Sequence, residues 1–195
     1  MQEIESFELT NNNTDLLRKY QLFLVTNKHL SDNSVNSYIL DIYKYLSFME
    51  DNGISDAKKI AKEDIYNYLK LLDSEKYSIY SVVRKISSIR SFHNYLSDNY
   101  NIEDVSIKIE NPRFYKKLPD ILSIEEVEML LDIKLKTAFD YRNKAMLELM
   151  YGCGLRVSEL INLEINDIDE INSTIRVTGK GSKDRIIPVG EYSIY

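Results

Sequence analysis

Tryptophan is absent from this chain of 195 residues, and cysteine, histidine, proline and glycine number only 1, 2, 3 and 6. Each scarcity excludes something. The single cysteine, Cys153, cannot close an internal disulfide. No apolar run approaches the ~20 residues that a membrane-spanning helix needs. With so few glycines and prolines, little interrupts a helix, and long helices are expected through most of the chain. Collagen, low-complexity disorder and a disulfide scaffold are excluded by the same composition. The N-terminal MQEIESFELT has neither the basic start nor the apolar core of a signal peptide, so the expected compartment is cytoplasmic, with no membrane partner.

What is present is ordinary for a globular protein: 44% hydrophobic and 29% charged residues, with 25 basic against 31 acidic side chains and a formal net charge of −6. Spread evenly, that charge argues against a nucleic-acid partner. It is not spread evenly. From Lys76 to Ser97 the chain carries Lys76, Arg84, Lys85, Arg90 and His93 and no acid. Such a run is either a solvated helix face or a surface that neutralises successive phosphates, with Ser87, Ser88 and Ser91 adding neutral donors. Arg113, Lys116 and Lys117 would extend the stripe.

Apolar residues at three- and four-residue spacing predict four helices in the first half. They run over about 14–28, from the polar cluster Ser31-Asp32-Asn33-Ser34 to Asn52-Gly53, over 62–72, and over 78–97. Together they predict a four-helix bundle over 1–108. Asn111-Pro112-Arg113 and Lys116-Lys117-Leu118-Pro119 break the periodicity, which predicts a basic linker over 109–117. A second domain over 118–195 then opens with Ser123 and Glu126 at capping-box spacing, followed by Val127, Leu130 and Leu131 as a core face. Further helices are expected over 140–151, ending at Gly152-Cys153-Gly154, and over 157–163. Residues 173–178 and 185–189 alternate in the manner of a β-hairpin around Gly179-Lys180-Gly181-Ser182.

Arg156 follows a glycine-bounded turn at a helix start. There a planar cation joins backbone N–H groups that point the same way, an arrangement suited to a phosphate. Lys180 sits at the hairpin tip, exposed and able to reach a neighbouring groove as a proton donor to a leaving oxygen. Lys183 competes with it in the same turn. The other reading of each is ordinary surface charge.

The run YGCGLRVSELINLEINDID, followed by IRVTGKGSKDRIIPVGE, resembles the tyrosine recombinases, the phage-integrase family, and is most similar to the Xer branch. SDNSVNSYILDIYKYLSFMEDNG and YSIYSVVRKISSIRSFHNYL resemble the second and fourth helices of that family's core-binding domain, which touch DNA, and LPDILSIEEVEMLL resembles the start of its catalytic domain. The resemblance covers nearly the whole chain. It implies a mainly α fold: an N-terminal four-helix, SAM-like core-binding bundle, plus the first helices and β-hairpin of a mixed α+β catalytic domain. It also implies strand exchange, in which a tyrosine attacks a DNA phosphodiester to give a 3′-phosphotyrosine and a free 5′-hydroxyl, with no cofactor or metal consumed. By the resemblance Arg156 matches the first catalytic arginine, Lys180 the lysine that protonates the leaving oxygen, and Glu159 the acid that holds its neighbours in place. Lys180 is preferred to Lys183 because it lies between two glycines. The DNA contacts implied are Ser34, Arg84, Lys85, Arg90, Lys116 and Lys117. The partners implied are double-stranded DNA and other recombinase protomers, in a homo- or hetero-tetramer.

The family also uses a His-x-x-Arg box and a nucleophilic tyrosine downstream of the lysine hairpin. Both histidines here, His29 and His93, precede Arg156. Tyr192 and Tyr195 fall beside the hairpin, where the family has ordinary helix positions, so no nucleophile is assigned. The expectation is a C-terminally truncated recombinase that binds DNA and is inactive alone. Its alternative is a non-catalytic module that pairs with full-length recombinases. For the second domain exposed apolar faces are expected, and for Cys153 the role of a small buried filler.

Overall fold

The computed structural model describes residues 9–113, 118–179 and 183–190. Lys116, Lys117, Lys180, Tyr192 and Tyr195 lie outside the described residues. The chain forms two compact units, 1–116 and 117–195.

The first unit is a bundle of α1 (Asn11–Thr26), α2 (Asp32–Asp51), α3 (Lys62–Ser74) and α4 (Ile79–Tyr100), with a short 3-10 turn at Ala57–Lys59. Apolar residues at three- and four-residue spacing line the core of this unit. Leu17, Tyr20, Leu24, Val35, Ile39, Ile42, Leu46, Ile65, Ile86, Ile89 and Phe92 are all essentially inaccessible. Burying each such side chain contributes about 1.5–3 kcal/mol. Tyr20 shows how a polar tip is accommodated: its ring meets Phe92 edge-on at 5.2 Å, and its hydroxyl donates to Ser91 Oγ at 2.8 Å.

The ends of α4 follow local chemistry. Ser78 Oγ accepts from the Ser81 N–H to open α4, and Asn101, at φ 54°, closes it. At the start of α1 the cap is tertiary. The Glu50 carboxylate at the end of α2 accepts from the Thr10 N–H (3.0 Å), Thr10 Oγ1 (2.7 Å) and Asn13 Nδ2 (2.6 Å). That contact carries α1 back to Asn11, three residues before the periodicity begins.

The second unit contains α5 (Ile124–Leu131), α6 (Ala138–Cys153), α7 (Val157–Ile161) and three antiparallel strands in the order β1 (Ile168–Asp169), β2 (Thr174–Thr178), β3 (Asp184–Pro188). The hairpin β2–β3 pairs Ile175 with Ile187 and Val177 with Arg185, whereas the two-residue β1 has too short a pattern to be read from sequence. Cys153, Leu155, Leu160, Ile175, Val177 and Val189 form its core.

Ser123 and Glu126 make the reciprocal capping bonds expected of them, at 3.2 and 2.7 Å. The expected core face of α5 is not buried, however. No residue of that helix is buried, and Leu130 is 52% exposed. Amphipathic spacing gives a helix an apolar side; it does not supply the surface that covers it.

Candidate functional site

Gly154, at φ 61° and ψ 35°, ends α6 in the left-handed conformation, with open space where a Cβ would stand. Its requirement is therefore conformational. Leu155 is buried immediately afterwards, and the chain enters α7 with Arg156 as N-cap. Glu159 is the hub of this corner. Its Oε2 accepts from the Arg156 N–H (2.8 Å) and Arg185 Nη2 (2.9 Å), and its Oε1 accepts from Arg156 Nη1 (2.8 Å) and Arg185 Nη1 (2.7 Å).

The Glu159 side chain is 3% exposed, while Arg156 is 67% exposed. The two forked bonds from Arg185, then the Arg156 backbone N–H, hold the Glu159 carboxyl down to about 2. It is ionised at neutral pH and therefore orients rather than donates protons. Two guanidinium groups on one carboxylate leave a surplus positive charge at the corner, presented by Arg156.

Arg185 is the residue that the sequence reading missed. It clamps α7 to the turn end of the β2–β3 hairpin. Gly179 makes the close approach possible, since a Cβ there would stand 3.3 Å from Arg185 Nη1 and 3.4 Å from the Lys183 carbonyl oxygen. The Gly179 N–H donates to that same oxygen at 2.8 Å, and Thr178 Oγ1 to Asp184 Oδ1 at 2.8 Å. A signal existed: Arg185 shares its strand face with Ile187, which packs on the core, and a cation on an inward register calls for a buried acid.

In the first unit the proposed DNA contacts separate. Arg84, 48% exposed, donates Nη1 to Asp41 Oδ2. Lys85 is only 3% exposed. Its ammonium lies 3.0 Å from Asp41 Oδ1 and 5.4 Å from the Tyr77 ring centroid. The expectation of Lys85 as a surface phosphate contact therefore does not fit: adjacent helix residues point about 100° apart, and Lys85 takes the inward side. Arg90 is half-buried and donates to the Ile109 carbonyl. Ser34 is half-buried, its hydroxyl 3.0 Å from that of Ser31. His93 is buried, bonded through Nε2 to the Tyr45 hydroxyl at 2.9 Å, and burial lowers it to about 4.

Cys153 is buried, and burial pushes its thiol up, away from thiolate chemistry. Among the described residues no helix is long and apolar enough to cross a membrane.

Comparison with known proteins matches residues 17–99 to the phage integrase N-terminal SAM-like domain and residues 120–195 to the phage integrase family. The chain is 45% identical over 171 residues to tyrosine recombinase XerD of Oceanobacillus iheyensis, covering 87% of this chain and 58% of that protein. It is 40% identical over 178 residues to tyrosine recombinase XerD of Staphylococcus epidermidis, covering 90% and 60%. The chain thus spans about 60% of the length of these curated relatives.

Two solved structures share the fold. One is the XerH site-specific recombinase bound to difH substrate in a pre-cleavage complex (TM-score 0.65, 18% identity, 98% of this chain and 60% of that one). The other is a lambda integrase tetramer bound to a Holliday junction (TM-score 0.66, 16% identity, 89% and 49%). With the SAM-like domain on the helical bundle and the integrase domain on the unit that carries the Arg156 corner, in that order along 40–45% identical relatives, the chain belongs to the phage integrase family of tyrosine recombinases.

Proposed function

We propose that this chain is the DNA-binding part and the opening catalytic part of a Xer-like tyrosine recombinase, acting on duplex DNA in the cytoplasm with other recombinase protomers. The observation that carries the reading is the Glu159 hub, which fixes an exposed arginine at a helix start and ties that helix to the hairpin bearing Lys180. In this reading Arg156 offsets the charge that builds on the non-bridging phosphate oxygens as the phosphodiester is attacked. Lys180 gives its proton to the leaving 5′-oxygen, and Glu159 positions Arg156. Arg84, Arg90, Ser34, Lys116 and Lys117 contact the DNA backbone. The domain limits we propose are 1–108, 109–117 and 118–195. The bound DNA of the XerH complex and the tetramer of lambda integrase support duplex DNA and multimeric recombinases as partners.

Within residues 1–195 both histidines precede Arg156, so the 195-residue polypeptide taken by itself is expected to bind DNA without completing cleavage. Incubation with a nicked suicide substrate is the test. Salt-sensitive binding without a covalent adduct is expected; a trapped phosphotyrosyl complex would overturn the claim of inactivity.

A second reading, a non-catalytic module that pairs with full-length recombinases, is favoured by the apolar surface of the second unit, where Ile121, Ile124, Met129, Phe139 and Ile161 stand exposed. Titration of DNA with and without a full-length recombinase separates the two. Binding to the recombinase, with no DNA binding at low salt, selects the module.

A further inference from the structure

Asp41 occupies a position in α2 where an apolar residue would be expected, between Ile39 and Ile42 and 2% exposed. Three donors from α4 converge on it: Arg84 Nη1 and Ser88 Oγ (2.9 Å) on Oδ2, and Lys85 Nζ (3.0 Å) on Oδ1. Two cations therefore share one carboxylate. Lys85 is enclosed between Asp41 and the Tyr77 ring and never reaches solvent, so the surplus charge leaves the cluster through Arg84 alone, on the outer face of α4.

We propose that Asp41 is a positioning residue for a phosphate contact made by Arg84, an inference that rests on the reading of α4 as a DNA-facing helix. A guanidinium carries five N–H donors in a rigid fork, and holding one arm on a buried carboxylate leaves the rest oriented outward before DNA arrives. The rotamer freedom that a surface arginine would lose on binding is already lost. Lys85 has a different task. It balances the Asp41 charge inside the bundle, which lets the carboxylate serve as an anchor without cancelling Arg84 toward solvent.

Removing Asp41 separates this from ordinary charge effects. An acid beside a DNA-binding surface opposes binding if it acts only through its charge, so removing it would tighten binding. If Asp41 orients Arg84, removing it weakens binding. The test uses the whole chain and a fluorescein-labelled random-sequence duplex, titrated by anisotropy between about 50 and 200 mM salt. The double variant Asp41→Leu with Lys85→Met removes the acceptor together with one charge of each sign, so an effect of net charge alone would leave binding unchanged; its melting curve is checked first.

We expect it to bind about three- to tenfold more weakly, with a salt slope shallower by about 1, as for the loss of one phosphate contact. Arg84→Ala alone should show the same loss, and Arg84→Ala added to the double variant little more. A folded double variant that binds as tightly as the unsubstituted chain overturns the proposal. So does an Arg84→Ala effect of equal size in both backgrounds. If the unsubstituted chain binds no duplex even at low salt, the reading of α4 itself fails, and the inference with it. Should the double variant not fold, ¹⁵Nε relaxation of Arg84 in the unsubstituted chain decides. An order parameter above about 0.6 is expected, and one below it, typical of a freely moving side chain, overturns the proposal.

Discussion

At the scale of single residues, the two acids that organise this chain act in opposite settings. Asp41 neutralises a cation that has no access to water, so Asp41→Ala strands the Lys85 ammonium and should cost the bundle about 3–5 kcal/mol in urea denaturation. Lys85→Met should cost much less, because Asp41 keeps Arg84 and Ser88 as donors. Equal losses for the two would show that the cluster is not anchored on the acid.

Glu159 faces a different pair. Its carboxyl is held below its ordinary range first by Arg185 and then by the Arg156 N–H, so its contribution is present above about pH 4.5 and lost as pH falls toward 2. Arg185→Gln should return the Glu159 carboxyl toward 4.5, read as its carboxyl ¹³C shift against pH. An unmoved titration would refute Arg185 as the main partner. Glu159 was legible only through the family resemblance, as the acid that holds its neighbours in place, and Asp41 was not legible at all. Arg156 was, because its glycine-bounded turn is local. Asp41 and Arg185 take their meaning from elements 43 and 26 residues away in sequence, which no local pattern reports.

At the scale of elements, periodicity located all four bundle helices because each has a continuous apolar stripe, and the hairpin because its strands alternate. It misplaced the start of α1, whose cap is Glu50 in another helix. It also took the apolar side of α5 for a buried one. The join between α2 and α4 carries a pH dependence. His93 is buried neutral against Tyr45, with burial lowering it from 6.5 to about 4.

The unfolded chain therefore binds a proton that the folded bundle refuses between those values. Stability is full above about pH 6.5 and falls as pH drops toward 4, by roughly 3 kcal/mol at most. His93→Gln should flatten this slope in denaturation series across that window, and an unchanged slope would assign it to other groups. In the second unit, Gly154→Ala meets no steric obstacle but forces φ 61° on a residue with a side chain, so about 1 kcal/mol should be lost in a thermal melt. Because Gly154 sets the entry to α7, the same variant should weaken the Glu159 hub.

At the scale of the whole molecule, the described residues put twenty-one buried apolar side chains in the core cluster of the first unit and six in that of the second. Stability grows with the apolar surface removed from water, so the two units should not unfold together. Around the smaller core, Leu118, Ile121, Ile165 and Ile171 are each nearly fully exposed, and α5 touches its unit without burying a residue. Exposed apolar area of that kind favours self-association.

Amide exchange followed by mass spectrometry should show protection in α2 and α4 that outlasts that of α6 and β2–β3 by orders of magnitude, since exchange from each reports its own opening free energy. Urea denaturation should be biphasic, with the Cys153–Val189 core lost first. Raising the protein concentration should shift only that first transition. Equal protection in both units, or one concentration-independent transition, would refute the difference in stability between the two cores.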